Sequence, residues 1–490
     1  MQKLALPEPA GGLQLNFCKT LACRNFGLSD NERYALQRTN PLRPVLVCNE
    51  CGAFPPLLNN QSVLDVKHRL EIEHQGISAS CNNSGCENHH QPQAVRPENY
   101  HAFGFSGKRQ RYRCKACATT FVDPWSVINP KLDIQQQILG LLFTGYTVRE
   151  ICRRLHINPK SCYDHLRNIA KRCRYRLAIT DTKVLNKRDS LTLSSYLSPL
   201  QTNAENGVLW LSTTETDSGY VITDTLNHHD AECGSKSVEH DPYSENAQYA
   251  ELSAVKDGVF EVPDNRGSSL RDTVDGVYKA AMSRTNLEDP FTGTLSVKHP
   301  AKGSLIRPQY MVYAHYLSLK EKTVKCKNLT FFLPQEPLLR SACVSVYLDR
   351  IRDRQIDLVY VAQDDSWATG SKPGLINIAL LSWWRDRWAF TSNESGQKGI
   401  CHIGNETGRE SFWLEHASYL SSWQYQHYFQ CQFDHVIHDP RRKHRPGALS
   451  IFVDIYRAWH NLCWVDRSGK SPAQKLGVAD APLTLAELLR

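Results

Sequence analysis

The chain has 490 residues, 58 Lys+Arg against 50 Asp+Glu, 17 Cys and 3 Met, with 41% hydrophobic and 22% charged residues. This composition excludes a disordered chain, and the length suggests two to four domains. No apolar run approaches the roughly 18 residues of a membrane helix, and the opening MQKLALPEPAGG has no sustained apolar core. A cytoplasmic protein without membrane contact is expected, with its cysteines binding metal or free rather than paired in disulfides.

Eight cysteines fall before residue 118, in four close pairs. Cys18 and Cys23 are spaced C-x4-C, and Cys48 and Cys51 C-x2-C. Cys81 and Cys86 then repeat C-x4-C, and Cys114 and Cys117 repeat C-x2-C. The surrounding residues echo as well: CKTLACRN against CNNSGCEN, and VLVCNECGAF against RYRCKACATTF. The pattern reads as an internal duplication, each copy a four-thiolate site suited to structural zinc. Iron in the same cage, or free core cysteines, are the alternatives. His74, His89, His90 and His101 lie nearby but are not needed as ligands.

The run GKRQRYRCKAC enters the second C-x2-C pair. Lys108, Arg109, Arg111, Arg113 and Lys115 are expected to place charge on both faces of a strand around Tyr112 and to meet phosphate. Helical spacing follows from Lys131 to Phe143. Thr147 to Glu150 forms a capping box opening a second helix, and Asn158-Pro159 opens a third, with Cys162, Leu166 and Ile169 as its inner stripe. Three helices with a short turn between the last two make a helix-turn-helix. Its outward residues, Lys160, Ser161, Tyr163, Asp164, Arg167 and Lys171, are the candidates for base contact. Arg172, Arg174 and Arg176 are the candidates for phosphate contact. From Arg96 to Ala178 there are 16 Lys/Arg against 5 Asp/Glu, a net of +11 in a chain of net +8. The remainder is slightly acidic, so the polyanion partner, expected to be double-stranded DNA, belongs to this segment.

Strand-like segments LTLSSYL, GVLWLSTTE and SGYVITDTL come next. Residues 228 to 290 carry 13 Asp/Glu against 6 Lys/Arg and read as a polar insertion or mobile region. KNLTFFL, a helix from Leu338 to Arg352 and IDLVYVA form a β-α-β unit. An aromatic-rich stretch, the basic PRRKHRP, a helix from Leu449 to Leu462 and a polar tail complete the chain. The expected fold is therefore multi-domain α+β.

SGKRQRYRCKACATTF followed by SCYDHLRNIAKR resembles the zinc-ribbon and helix-turn-helix head of bacterial insertion-sequence transposases. SGYVITDTLNHHD, LTFFLPQEPLLRSACVSVYLDRI and SPAQKLGVADAPLTLAELL are similar to pieces of the integrase-like (RNase H-like) body of such enzymes. The duplicated cysteine pairs give zinc ribbons at 1–75 and 76–128, and the resemblance, which covers most of residues 81–490 and only thinly 230–300, implies a helix-turn-helix domain at 129–180. It implies an RNase H-like α/β domain at 181–465, with an insertion at about 228–300, and a tail at 466–490. It also implies DNA ends as partner, a homo-oligomer or larger DNA-bound assembly, and a nucleoid-associated location. Such enzymes hold two Mg²⁺ or Mn²⁺ ions with three carboxylates. Here the sequence departs: Ser194, Ser195 and Tyr196 occupy the first acidic corner. Pro334, near Glu336, occupies the second, and His444 the third. Among acids that could be recruited, including Asp365 and Asp439, the workable triad is Asp217, Asp364 and Asp434. Two readings follow. One is a DNA-binding protein with a degenerate catalytic centre, serving as regulator, sensor or targeting factor. The other is an active DDE-type transposase. A zinc-stabilised scaffold without nucleic acid is a third.

Overall fold

The computed structural model describes residues 6–37, 45–75, 79–89, 91–94, 96–125, 129–200, 208–229, 269–284, 286–289, 304–368, 370–382, 384–404, 407–437 and 446–490. The chain begins with an antiparallel pair, β1 (Tyr34–Gln37) and β2 (Val45–Cys48), and helix α1 (Asn60–Gln75). A three-stranded antiparallel sheet follows: β3 (Tyr100–Ser106), β4 (Arg109–Cys114) and β5 (Thr120–Val122). Three helices come next: α2 (Leu132–Phe143), α3 (Val148–Arg154) and α4 (Pro159–Lys187). Beyond them lie β6 (Ser190–Pro199), β7 (Leu209–Glu215), β8 (Val221–Leu226), β9 (His228–His229), α5 (Leu270–Met282), β10 (Ser304–Leu305) and α6 (Pro308–Lys322). Then come β11 (Asn328–Pro334), α7 (Pro337–Val346), α8 (Leu348–Arg352), β12 (Ile356–Gln363), β13 (Asn377–Leu381), β14 (Asp386–Asn393) and β15 (Gly396–His402). Helices α9 (Glu410–His416), α10 (Leu420–Gln432), α11 (Asp434–Ile437), α12 (Pro446–Leu462), α13 (Pro472–Lys475) and α14 (Leu485–Leu489) end it. No described helix is long and apolar enough to cross a membrane.

The chain divides into two compact units. The first comprises residues 1–67, 189–217 and 222–424 and is a mixed α/β structure. Its eight-stranded sheet has the order β13-β14-β15-β12-β11-β6-β7-β8. The central strands β6, β11 and β12 run parallel, with Leu329 opposite both Leu191 and Ile356. β7 is antiparallel to β6, and β15 to β12. Strand alternation sends consecutive residues to opposite faces, so adjacent phenylalanines serve two layers. Phe331 packs on Tyr316 of α6 and on Tyr347, with ring centroids 6.0 and 5.3 Å away. Phe332 meets Trp413 of α9 edge-on at 6.1 Å. Both phenylalanines are buried, each contributing about 1.5–3 kcal/mol.

The acidic stretch, expected to be an insertion or mobile region, is folded where it is described, at 269–284 and 286–289. Ser269 caps α5 through a capping box with Asp272. Glu288 is fully buried, 2.5 Å from Lys19 and 3.0 Å from the Tyr313 hydroxyl. Burial raises the Glu288 carboxyl above its ordinary value and lowers the Lys19 ammonium, each opposed by the other's charge. The remainder of the expected insertion, 230–268, 285 and 290–300, lies outside the described residues. The single helix expected over 338–352 is broken at Tyr347 into α7 and α8.

The second unit comprises residues 68–188, 218–221 and 425–490. Helix α3 opens with the Thr147–Glu150 capping box, and the Asn158 side chain accepts from Ser161 N at 2.8 Å to open α4. The link between α3 and α4 turns through His156, whose φ of 52° is left-handed. Ile151, Cys162, Leu166 and Ile169 are buried where these helices meet. α4 is 29 residues long, about 43 Å at 1.5 Å per residue. Its later turns pack on α12, where Arg457 reaches Asp181 at 2.9 Å. Residues 466–490 carry α13 and α14, with Leu488 and Leu489 buried.

Candidate metal centres and basic surface

Cys18, Cys23, Cys48 and Cys51 form one four-sulfur cluster, and Cys81, Cys86, Cys114 and Cys117 another. Among the described residues these are the only such groupings of Cys, His, Asp and Glu. The sulfur pairs Cys18–Cys51 and Cys23–Cys48 are 3.5 and 3.8 Å apart. Cys81–Cys117 and Cys86–Cys114 are 3.4 and 3.7 Å apart. A tetrahedron with Zn–S of about 2.3 Å has edges of about 3.8 Å, so both cages fit a zinc ion.

The duplication extends beyond the ligands. Asn25 and Asn88 each donate a backbone N–H to one sulfur and a side-chain N–H to another, at 3.4 Å in all four cases. Tyr34 and Tyr100 each donate a hydroxyl to the carbonyls of their copy's asparagine and of a residue three further on. The residue after each C-x2-C, Gly52 or Ala118, is left-handed and returns its N–H to the first cysteine of the pair. N–H donors of this kind orient thiolates and support their charge. The Thr119 hydroxyl and backbone beside Cys117 lower that thiol to about 6. The sequence signal for the asparagines was present as C-x-N in both copies. Neither His89 nor the exposed His101 joins a cluster. His90 and the side chain of His74 lie outside the described residues.

The second cluster roots the β3–β4 hairpin. Lys108, Arg109, Arg113 and Lys115 are exposed and Arg111 half-exposed. Charge does not lie on both faces as expected. Arg109, Arg111 and Arg113 share one face by the two-residue period, while Tyr112 turns to the other and packs on Phe121, centroids 6.0 Å apart. The arginine face also carries Phe103, whose ring centre lies 5.6 and 5.4 Å from the Arg111 and Arg113 guanidinium carbons. Sequence reasoning passed over Phe103 and Phe105, which are 44% and 67% exposed.

On α4, Lys160, Asp164, Arg167 and Lys171 are exposed, and Ser161 and Tyr163 half-buried. Arg167 is paired with Asp164 at 2.7 Å. A cavity of about 230 Å³ at the head of α4 is lined by Lys131, Asn158, Lys160, Ser161, His165 and others. Two expected phosphate contacts are corrected. Arg172 is buried, donating to the carbonyls of Leu489 and Arg490 at 3.1 and 2.8 Å, with its guanidinium 4.9 Å from the centre of the Trp125 ring. Arg174 is occupied by Asp454, 2.7 Å from its Nε.

The proposed acids are not assembled into a triad. Glu215 lies opposite Leu193, so Asp217, exposed just beyond β7, sits where β6, β11 and β12 begin. Asp364 follows the last residue of β12, at the opposite end of the sheet. Eight residues of strand separate those ends by about 25 Å. Asp364 closes the β12–β15 ladder, accepting from Gln397 N at 2.7 Å. Asp434 opens α11 and belongs to the other unit. Asp365 is exposed, and Asp439 and His444 lie outside the described residues.

The corner where an acid was sought on β6 is a hydroxyl cluster. Ser194 Oγ lies 2.9 Å from Thr214, 2.7 Å from Ser421 and 3.1 Å from Ser422. On the opposite face Ser195 meets Thr213 at 2.8 Å, and Thr213 and Thr225 bond the two nitrogens of buried His315. Tyr196 stacks on Tyr419 with centroids 6.0 Å apart and planes 4° from parallel. Glu336 caps α7 and faces Arg284 at 3.4 Å. These groups satisfy one another and leave no cluster of carboxylate oxygens for a divalent ion among the described residues. The chain matches no family model, no curated protein and no solved structure.

Proposed function

We propose that this chain is a zinc-stabilised DNA-binding protein of transposase descent whose catalytic corner no longer holds metal. The observation that carries the reading is the concentration of exposed cations on one folded unit. Lys108, Arg109, Arg113, Lys160, Arg167 and Lys171 all stand in solvent within the +11 segment. The second zinc ribbon would fix the hairpin, α2–α4 would serve as the helix-turn-helix, and α4 would enter the major groove by its first turns. Removing Arg172 from the interface leaves the contact to those first turns and the hairpin.

Descent from an RNase H-like enzyme is supported by strand order. Read in sequence, β6, β7, β8, β11 and β12 lie as 3-2-1-4-5, with the first, fourth and fifth parallel and helices on both faces. That is the arrangement expected of an RNase H-like sheet. In such a fold the acids stand on the first strand and at the end of the fourth. This chain has Ser194 bonded to Thr214 and Ser422 at the one place and Pro334 at the other. The protein therefore recognises DNA without cutting it, as a regulator, sensor or targeting factor. The test is incubation of the full chain with double-stranded DNA in Mg²⁺ or Mn²⁺. Retained complexes and intact strands are expected. Metal-dependent cleavage or strand joining lost in an Asp217→Ala/Asp364→Ala/Asp434→Ala variant would restore the active-transposase reading.

A further inference from the structure

The β3–β4 hairpin carries a feature that phosphate contact does not use. Six consecutive residues of β3, His101 to Ser106, are exposed, and two of them are phenylalanines. A lone exposed apolar residue needs no explanation, but two large rings one residue apart on an otherwise cationic hairpin do. The backbone is shaped to present them. The ladder shifts register between Ala102 and Phe105, and Gly104 inside that irregularity has φ +67°. A β-bulge of this kind re-aims side chains. Gly107, with φ +60°, then closes a two-residue turn with Lys108.

The surroundings of the rings specify a ligand. Phe103 lies within 6 Å of the Arg111 and Arg113 guanidiniums, cations able to meet the phosphates of a strand whose base stacks on it. Phe105, beside the turn, has no ring or cation partner among the described residues and is the more exposed of the two. Exposed aromatic rings beside cations fit an unstacked base with its backbone. A fully paired duplex offers the hairpin phosphates but no base face, because its bases are stacked on one another.

We propose that Phe103 and Phe105 form a base-stacking platform, and that the DNA recognised by this hairpin contains unpaired or unstacked bases, as at a frayed end, a flap or a bubble. The proposal rests on the DNA-binding reading above and narrows its ligand. Both rings lie on the solvent side, away from the Tyr100–Phe121–Tyr112 cluster that packs beneath the hairpin. Truncating them therefore leaves the zinc cage and the hairpin in place.

The test uses the full zinc-loaded chain and two probes: a 30-base-pair duplex, and the same duplex with a three-nucleotide unpaired bubble. Fluorescence anisotropy reads both affinities. The bubble is expected to bind about tenfold tighter, the equivalent of about 1.4 kcal/mol from one stacked base. In Phe103→Ala/Phe105→Ala that preference is expected to disappear, with duplex affinity changed less than twofold. Phe103→Tyr/Phe105→Tyr, which keeps the rings, is expected to retain it. Equal wild-type affinity for the two probes overturns the proposal, and so does a preference surviving in the double-alanine variant. Failure to bind either probe overturns the DNA-binding reading itself, a distinct result. If the double-alanine variant changes the oligomeric mass and leaves the bubble preference intact, the rings are a protein contact and the proposal is likewise overturned.

Discussion

Replacing Cys114 with serine tests the two-cage assignment at one ligand. Cys114 is buried at the end of β4, 3.7 Å from Cys86, and its sulfur accepts the Asn88 side-chain N–H. Structural zinc in small modules supplies about 10–16 kcal/mol. Shared over four thiolates this is about 3 kcal/mol each, so losing one weakens zinc affinity by about 100-fold or more. Little else holds the second knuckle. Its apolar cluster consists of Tyr100 and the cysteines, with Tyr112 and Phe121 partly buried around them. Local unfolding of residues 79–122 is the expected consequence, with the first cage retaining its ion because it shares no ligand with the second. The assay is zinc per chain by elemental analysis after dialysis against a weak chelator. Two ions in the parent and one in Cys114→Ser are expected. Two retained, or both lost, would refute two independent cages.

Three further outcomes are expected. Arg172→Ala breaks charge-assisted bonds to two carbonyls and lowers stability by about 2–4 kcal/mol, read as a fall in Tm, while leaving the salt slope of DNA binding unchanged. Arg113→Ala weakens all DNA sequences alike and reduces that slope by about one, read by anisotropy at several salt concentrations. His460 is held neutral by burial, its pKa lowered to about 4, with its Nε2–H donated to the Gly219 carbonyl. The unfolded chain takes up that proton near pH 6.5 and the folded chain only near pH 4. Stability is therefore expected to fall by up to about 3 kcal/mol as pH drops between those values. Denaturant melts of the parent and of His460→Gln across pH 7 to 4 should diverge, the variant falling less; parallel curves would remove His460 as the cause.

How much was legible follows from how local each signal is. The cysteine spacings lie within a few residues and are preserved twice, and the clusters form as their spacing demands. The starts of α3 and α4 are set by side chains capping their own helix, so Thr147, Glu150, Asn158 and Pro159 could be read directly. Helix α6 gave no signal because nearly its whole circumference is buried, from Pro308 to Tyr316 without a break and with Gln309 and His315 among the buried residues, so no one-sided apolar stripe marks it. Arg172 was misread because its partners lie more than 300 residues later in the chain. Glu288 looked like solvated acid for the same reason, its cation being Lys19. The Asp217–Asp364–Asp434 set failed on topology: Asp217 and Asp364 lie at strand ends as expected, but strand direction puts them at opposite ends of one sheet, and Asp434, expected before a basic helix, opens the short α11 of the other unit. Phe103 was overlooked because an aromatic in a strand ordinarily faces the core.

The central claim is that the exposed cations of the hairpin and of the first turns of α4 bind DNA through its phosphates. The most direct measurement is the affinity of the full chain for a 30-base-pair duplex between about 50 and 200 mM salt. With Lys108, Arg109, Arg111, Arg113, Lys160, Arg167 and Lys171 all engaged, the logarithmic slope approaches about −6. A slope of about −4 to −6 is the predicted result. A flat dependence, or no binding at the lowest salt, would contradict it.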